Sequence, residues 1–245
     1  MSVQYQKPPL IEAIFEANFI AEAWDMTMVG DFYKQINHDF PIKMTKEQAG
    51  LGIEINQTGA NIVNRNQKSI TQFFNEQKNQ LVQVSTNMLA VNSLPPYMSW
   101  DNFKALIVRC LAHYQEVAKP KGFASIMLRY INKVNIGEEC SYDNMRRYFH
   151  LLPHIPDGLP HSATSLNTNI EMPFDERSNI LSIVQATLLP EMDMQAPVLF
   201  DLNFICIKPQ TVALEHIENW LEHAHTQIER IFEDSLTTEA KQSFR

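Results

Sequence analysis

Residues 12–20 alternate, with Ala13, Phe15, Ala17 and Phe19 on one side and Glu12, Ile14, Glu16 and Asn18 on the other. A two-residue period is that of a half-buried strand. The period then lengthens. Met28, Val29, Phe32, Ile36 and Phe40 recur at helical spacing, with Asp25 placed to cap the segment and Pro41 to stop it. Residues 42–66 are weakly patterned and predict one or two short strands around Gly59. Residues 69–75 and 81–92 read as a hairpin across residues 75–79. Ser99 precedes a strong helix over 100–118, whose inner stripe is Phe103, Leu106, Ile107, Cys110, Leu111 and Tyr114.

After a break at Lys119-Pro120-Lys121-Gly122 a similar order starts again. Residues 125–136 predict a strand, 141–152 a helix ended at Pro153, and 165–172, 179–188 and 198–207 three strands. Thr211 is the expected cap of a long final helix with Leu214, Ile217, Leu221, Ala224, Ile228, Ile231 and Phe232 on its apolar stripe. Leu81-Val82-Gln83-Val84-Ser85-Thr86 and Ile183-Val184-Gln185-Ala186-Thr187 occupy similar places, giving a period of roughly 110 residues. The expected fold is α+β: a tandem pseudo-repeat of strand, helix, antiparallel strands and helix, forming one antiparallel sheet backed by helices. Halves 1–120 and 121–245 are expected to pack as one globular unit. Helix-grip and TATA-binding-protein-like folds share this logic, an analogy that carries no function.

Composition narrows the chemistry. The 245 residues are 44% hydrophobic and 20% charged, ordinary for a globular protein. No run approaches the roughly 18–20 apolar residues of a membrane span, and the first nine residues lack the charged and apolar regions of a secretory leader. Cys110, Cys140 and Cys206 form no CxxC pair, so core filling in a reducing cytoplasm is expected rather than disulfides or a zinc ribbon. Glycine is scarce, with 7 residues against a usual share of about 7%. The close pair Gly50 and Gly52 has no third glycine and no Lys-Ser/Thr after it, so phosphate-cradling loops are poorly supported. No cofactor is implied.

The net charge of −8 is uneven, because residues 171–245 hold 13 acidic and 5 basic side chains. Phosphate neutralisation drives nucleic-acid binding, so this balance disfavours it. The basic stretch from Lys104 to Arg147, interleaved with Tyr130, Tyr142, Tyr148 and Phe149, keeps it as a second reading.

Several phrases stand out: Pro8-Pro9-Leu10-Ile11-Glu12-Ala13, Tyr97-Met98-Ser99-Trp100-Asp101-Asn102-Phe103, Leu128-Arg129-Tyr130-Ile131-Asn132, and His225, Ile228, Phe232 and Glu233. Together they resemble a sporadically distributed bacterial family of about 250 residues with no assigned activity. The resemblance implies a cytoplasmic bacterial protein and carries over no catalytic residue. Patchy distribution suits a defence or mobile-element accessory.

Two surfaces are candidates for binding. The first is a polar sheet face of Glu12, Glu16, Arg129, Lys133, Asp201 and Asn203, where cross-strand pairs such as Glu16 with Arg129 are expected. The second is the acidic last helix, with Glu215, Glu218 and Glu222. His150, His154 and His161 fall in a proline-rich stretch, where Pro153 argues against the intact helix a His-x-x-x-His metal site needs. His216 and His223 are expected to be solvated. No Gly-x-Ser-x-Gly elbow occurs, and neither a catalytic nor a metal site is assigned.

The sequence therefore predicts a non-enzymatic interaction protein that binds a protein partner through the sheet face or the acidic helix. A nucleic-acid accessory and a small-ligand pocket between sheet and last helix are the alternatives. An exposed sheet edge can also pair with a second copy, giving a homodimer.

Overall fold

The computed structural model describes residues 5–20, 26–56, 59–137, 141–159, 165–188 and 197–245, with backbone alone for 26, 46–69 and 177. The expected cap Asp25, the histidine His161 and Cys140 lie outside the described residues. The elements run β1 (Leu10–Ile20), α1 (Met26–Ile36), β2 (Ile42–Asn56), β3 (Gly59–Phe74), β4 (Gln80–Ser85), β5 (Met88–Ser93), α2 (Trp100–Ala118), β6 (Gly122–Asn135), α3 (Tyr142–Tyr148), β7 (Asn167–Phe174), β8 (Asn179–Thr187), β9 (Pro197–Cys206), α4 (Ile217–Ser235) and α5 (Thr238–Ser243). The fold is α+β, with one nine-stranded antiparallel sheet in the order β2-β3-β4-β5-β1-β6-β9-β8-β7. No described helix is long and apolar enough to cross a membrane. The chain divides into two compact units, Phe15–Ser125 and Met1–Ile14 with Ile126–Arg245.

In the unit Phe15–Ser125, the alternation of β1 does what its period requires: Phe15, Ala17 and Phe19 are buried. The α2 stripe is buried at all six expected positions. Phe19 stacks on Tyr114 with ring centroids 4.4 Å apart, and Phe32 of α1 meets Tyr114 edge-on. Lys119 ends α2 in a left-handed conformation, its N–H bonded to Gln115 O. Ser99 holds the N-cap position, yet its side chain makes no cap bond.

Two expectations need correction in this unit. Residues 42–74 form two long paired strands, 15 and 16 residues, rather than short ones. Gly50 and Gly52 lie inside β2, where a register shift between Gln48 and Gly50 interrupts the alternation that would have marked the strand. Residues 81–92 are two strands, not one, folded at Thr86-Asn87, where Asn87 takes φ 58°. Asparagine tolerates that conformation, and a single such residue is a weak turn signal. The β3–β4 turn falls where expected. Asn75 Oδ1 accepts from the N–H groups of Asn79 and Gln80, both at 3.0 Å.

In the second unit, β6, β9, β8 and β7 pair in that order. Even-numbered residues of β9 (Val198, Phe200, Leu202, Phe204 and Cys206) are buried. Helix α4 covers this face through Ile217, Trp220, Leu221, Ala224 and Ile228, with Trp220 against Phe204. Helix α3 stops at Tyr148, not at Leu152. Phe149 turns extended and bridges to Leu236, and the His150 N–H bonds Ser235 O, so backbone partners from the chain's end replace the next helical turn. The last helix begins at Ile217 after a 3-10 turn over Leu214–His216, with His216 rather than Thr211 at its cap. Extended Leu236 then separates α4 from α5, a short helix capped by Thr237 that the sequence pattern does not announce.

Candidate functional site

Strand parity decides which side chains share the open face of the second unit's sheet. Residues 129, 131 and 133 of β6 stand opposite 203, 201 and 199 of β9, and 203 and 201 stand opposite 182 and 184 of β8. Arg129, Lys133, Asp201 and Asn203 therefore lie on one face, as the alternation predicts.

The geometry within that face is specific. Arg129 Nε donates to Asp201 Oδ1 at 2.9 Å and lies 3.1 Å from Oδ2, and Nη2 donates to Oδ2 at 2.5 Å. Asp201 is the diagonal neighbour of Arg129, its direct partners being Ile131 and Val184. The carboxylate is 6% exposed and the guanidinium side chain 37%. The fork shape of arginine satisfies both carboxylate oxygens at once, which makes an enclosed aspartate tolerable in mid-sheet. Asn203 Oδ1 is enclosed with no hydrogen-bond partner among the described residues. Lys133 is half-buried, and its N–H bonds Pro9 O. Glu12 is half-buried, and Glu16 accepts from Asn18 Nδ2 at 3.0 Å.

The acidic helix has the opposite character. Glu215, Glu218 and Glu222 are all exposed. At 100° per residue, Glu218, Glu222 and Glu229 fall within about 40° of one another, well away from the stripe that meets β9. Glu233, further along, is engaged by the Tyr5 hydroxyl at 2.8 Å and Lys241 at 3.2 Å. Burial, then the Glu233 bond and charge, push the Tyr5 phenol far up.

Several polar contacts are not visible from spacing. Asp175 and Glu176 both adopt left-handed φ, 47° and 53°. Asp175 Oδ2 accepts from Asn179 Nδ2 at 2.6 Å and lies 3.0 Å from His223 Nε2, and Asn179 Oδ1 accepts from Trp220 Nε1. His223, expected to be solvated, is thus bonded to the β7–β8 turn and rests edge-on against Phe204. Tyr130 meets His225 at 3.1 Å. Among the described residues no three His, Cys, Asp or Glu side chains converge as metal ligands. Cys206 is buried, and burial raises its thiol against the opposing pull of the Lys208 backbone and Thr211.

A cleft of about 500 Å³ lies between α3 and the following residues, lined by Tyr142, Arg146, Phe149, His150, His154 and Asp157 among others. Those histidines follow the end of α3, so no helix presents them on a common face. Their spacing marks them only as metal candidates, and the shape of the cleft depends on contacts distant in the chain.

The fold and site thus define an antiparallel α+β protein with an internally ion-paired sheet face and an acidic outer helix. No protein-family model matches the chain, and no curated protein matches it. Among solved structures it aligns with the S. pombe Pct1 RNA triphosphatase over 97% of this chain and 82% of that one, at 8% identity and a TM-score of 0.14. A likeness of that size carries no argument.

Proposed function

We propose that the chain is a non-enzymatic interaction protein whose α4 acidic stripe binds a basic surface on a protein partner. The observation that carries this reading is the contrast between the two candidate surfaces. On the sheet, Asp201 is enclosed and engaged by Arg129, so those charges serve the fold first. On α4, Glu218 and Glu222 are exposed, as is Glu215 in the turn before it, while the opposite side of the helix is held in the core. Exposed charge of one sign steers encounter with a complementary surface.

The reading suits a cytoplasmic bacterial accessory of the family that the sequence resembles, in defence or on a mobile element. It also suits a duplicated unit. Each half runs strand, helix, antiparallel strands, helix, and in each the first strand neighbours the last of the following strands, β1 beside β5 and β6 beside β9.

Native mass spectrometry of tagged protein drawn gently from its host identifies the partner. Glu218→Lys with Glu222→Lys is then expected to weaken that complex at least tenfold while the unfolding midpoint moves by no more than a few degrees. Unchanged affinity in the charge-reversed protein refutes the acidic-helix reading. A co-purifying nucleic acid, with affinity falling steeply in salt, replaces it with the second reading.

A further inference from the structure

Four arginines with described side chains each hold a carboxylate: Arg109 with Asp39, Arg129 with Asp201, Arg147 with Glu239 and Arg230 with Asp234. Arg146 differs. Its guanidinium sits 6.0 Å from the ring centroid of Tyr142 and lines the cleft of about 500 Å³, with no acidic partner among the described residues. His150, His154 and Asp157 line the same cleft, also without a side-chain hydrogen bond or ion pair among the described residues.

The cleft is a held shape rather than a gap between loose segments. Tyr142 and Phe149 are buried among its lining, and the Tyr142 hydroxyl donates to Pro153 O at 2.5 Å, fixing the wall that carries His150 and His154. The His150 N–H is bonded to Ser235 O, and Phe149 is bridged to Leu236. Ser141 caps α3 by accepting from Asn144 N, which sets the turn from which Arg146 projects.

We infer that this cleft binds a small organic phosphate monoester bearing a planar ring, of the nucleoside monophosphate class. The planar guanidinium of Arg146 suits a phosphate, with the imidazoles of His150 and His154 as further donors. Leu152 and Ile155, half-buried in the lining, offer apolar contact for a planar group. Asp157 can accept from a sugar hydroxyl or a base amine, groups that inorganic phosphate lacks. The volume lies in the usual range for small-molecule sites, about 300–1,000 Å³. The site is separate from the α4 acidic stripe, and either reading can fail without the other.

The test is calorimetric titration of the full chain with adenosine monophosphate, adenosine and inorganic phosphate. Adenosine monophosphate is expected to bind, and each of the other two at least tenfold more weakly. Arg146→Ala is expected to weaken adenosine monophosphate binding at least tenfold, and Arg146→Lys to restore part of the loss. Lys34→Ala, in an exposed pair with Asp31 on α1, leaves binding unchanged. Near-ultraviolet circular dichroism checks that each variant stays folded. The inference is overturned by no binding at millimolar adenosine monophosphate. It is equally overturned by adenosine or phosphate binding as tightly as the ester, or by unchanged affinity in folded Arg146→Ala.

Discussion

Replacing Arg129 by methionine removes the cation that holds Asp201 and keeps much of the apolar stem. The aspartate remains where β9 places it, between β6 and β8 and nearly enclosed. Breaking a buried pair from one side costs about 3–5 kcal/mol. The guanidinium side chain is 37% exposed, so water already shares its charge, and the lower figure of about 2–3 kcal/mol applies.

Asp201→Leu leaves a partly hydrated guanidinium and is expected to cost less, about 1–2 kcal/mol. The double variant removes both charges and is expected to lie within about 1 kcal/mol of the wild type. The coupling energy is then at least about 2 kcal/mol, measured by urea denaturation with tryptophan fluorescence, to which Trp220, packed on Phe204 of the same unit, contributes. A single-variant cost under 0.5 kcal/mol, or strict additivity across the cycle, would refute the claim that this pair is part of the fold.

Two further outcomes are expected. Burial pushes the Cys110 thiol up to about 12 from an ordinary value of 9.0, so Cys110 in native protein should resist iodoacetamide at pH 8, read by peptide mass, and react only on unfolding. The sign of the linkage follows: the contribution is complete below about pH 9 and is lost as pH rises toward 12, because the unfolded thiol ionises first. Rapid alkylation of Cys110 in folded protein at pH 8 would contradict this. Phe244→Ala removes a buried ring that meets Tyr5 at 5.5 Å and Phe232 at 6.4 Å. It should cost about 3 kcal/mol in a urea titration, and a loss under 1 kcal/mol would show that the terminal helix is not docked.

What the sequence made legible follows from the range of the interactions. The α2 stripe was readable residue by residue, because a long helix against one apolar surface needs only its own 3.6-residue period. The alternation of β1 was readable for the same reason. Parity also placed Arg129, Lys133, Asp201 and Asn203 on a common face. It did not supply register, and register selects Asp201, a diagonal neighbour on the adjacent strand, as the partner of Arg129. Glu16, which the pattern offered instead, is bonded to Asn18 on its own strand. The β4–β5 turn was missed because a left-handed asparagine without an accompanying glycine barely punctuates an apolar run.

The cleft shows why a site can be invisible while its residues are plain. Arg146, His150, His154 and Asp157 lie close together in sequence, but their arrangement depends on where α3 ends. That end is set by residues of the chain's last stretch: Ser235 O receives the His150 N–H, Leu236 bridges Phe149, and the Thr237 N–H bonds Tyr148 O. Arg147 is held by Glu239 on α5, which leaves its neighbour Arg146 as the arginine that lines the cleft. Local propensity alone would have continued the helix to Pro153 and placed His150 on a helical turn. A short segment with little periodicity of its own therefore fixes the wall of the cavity, and the chemistry there is written in two places that only the folded chain brings together.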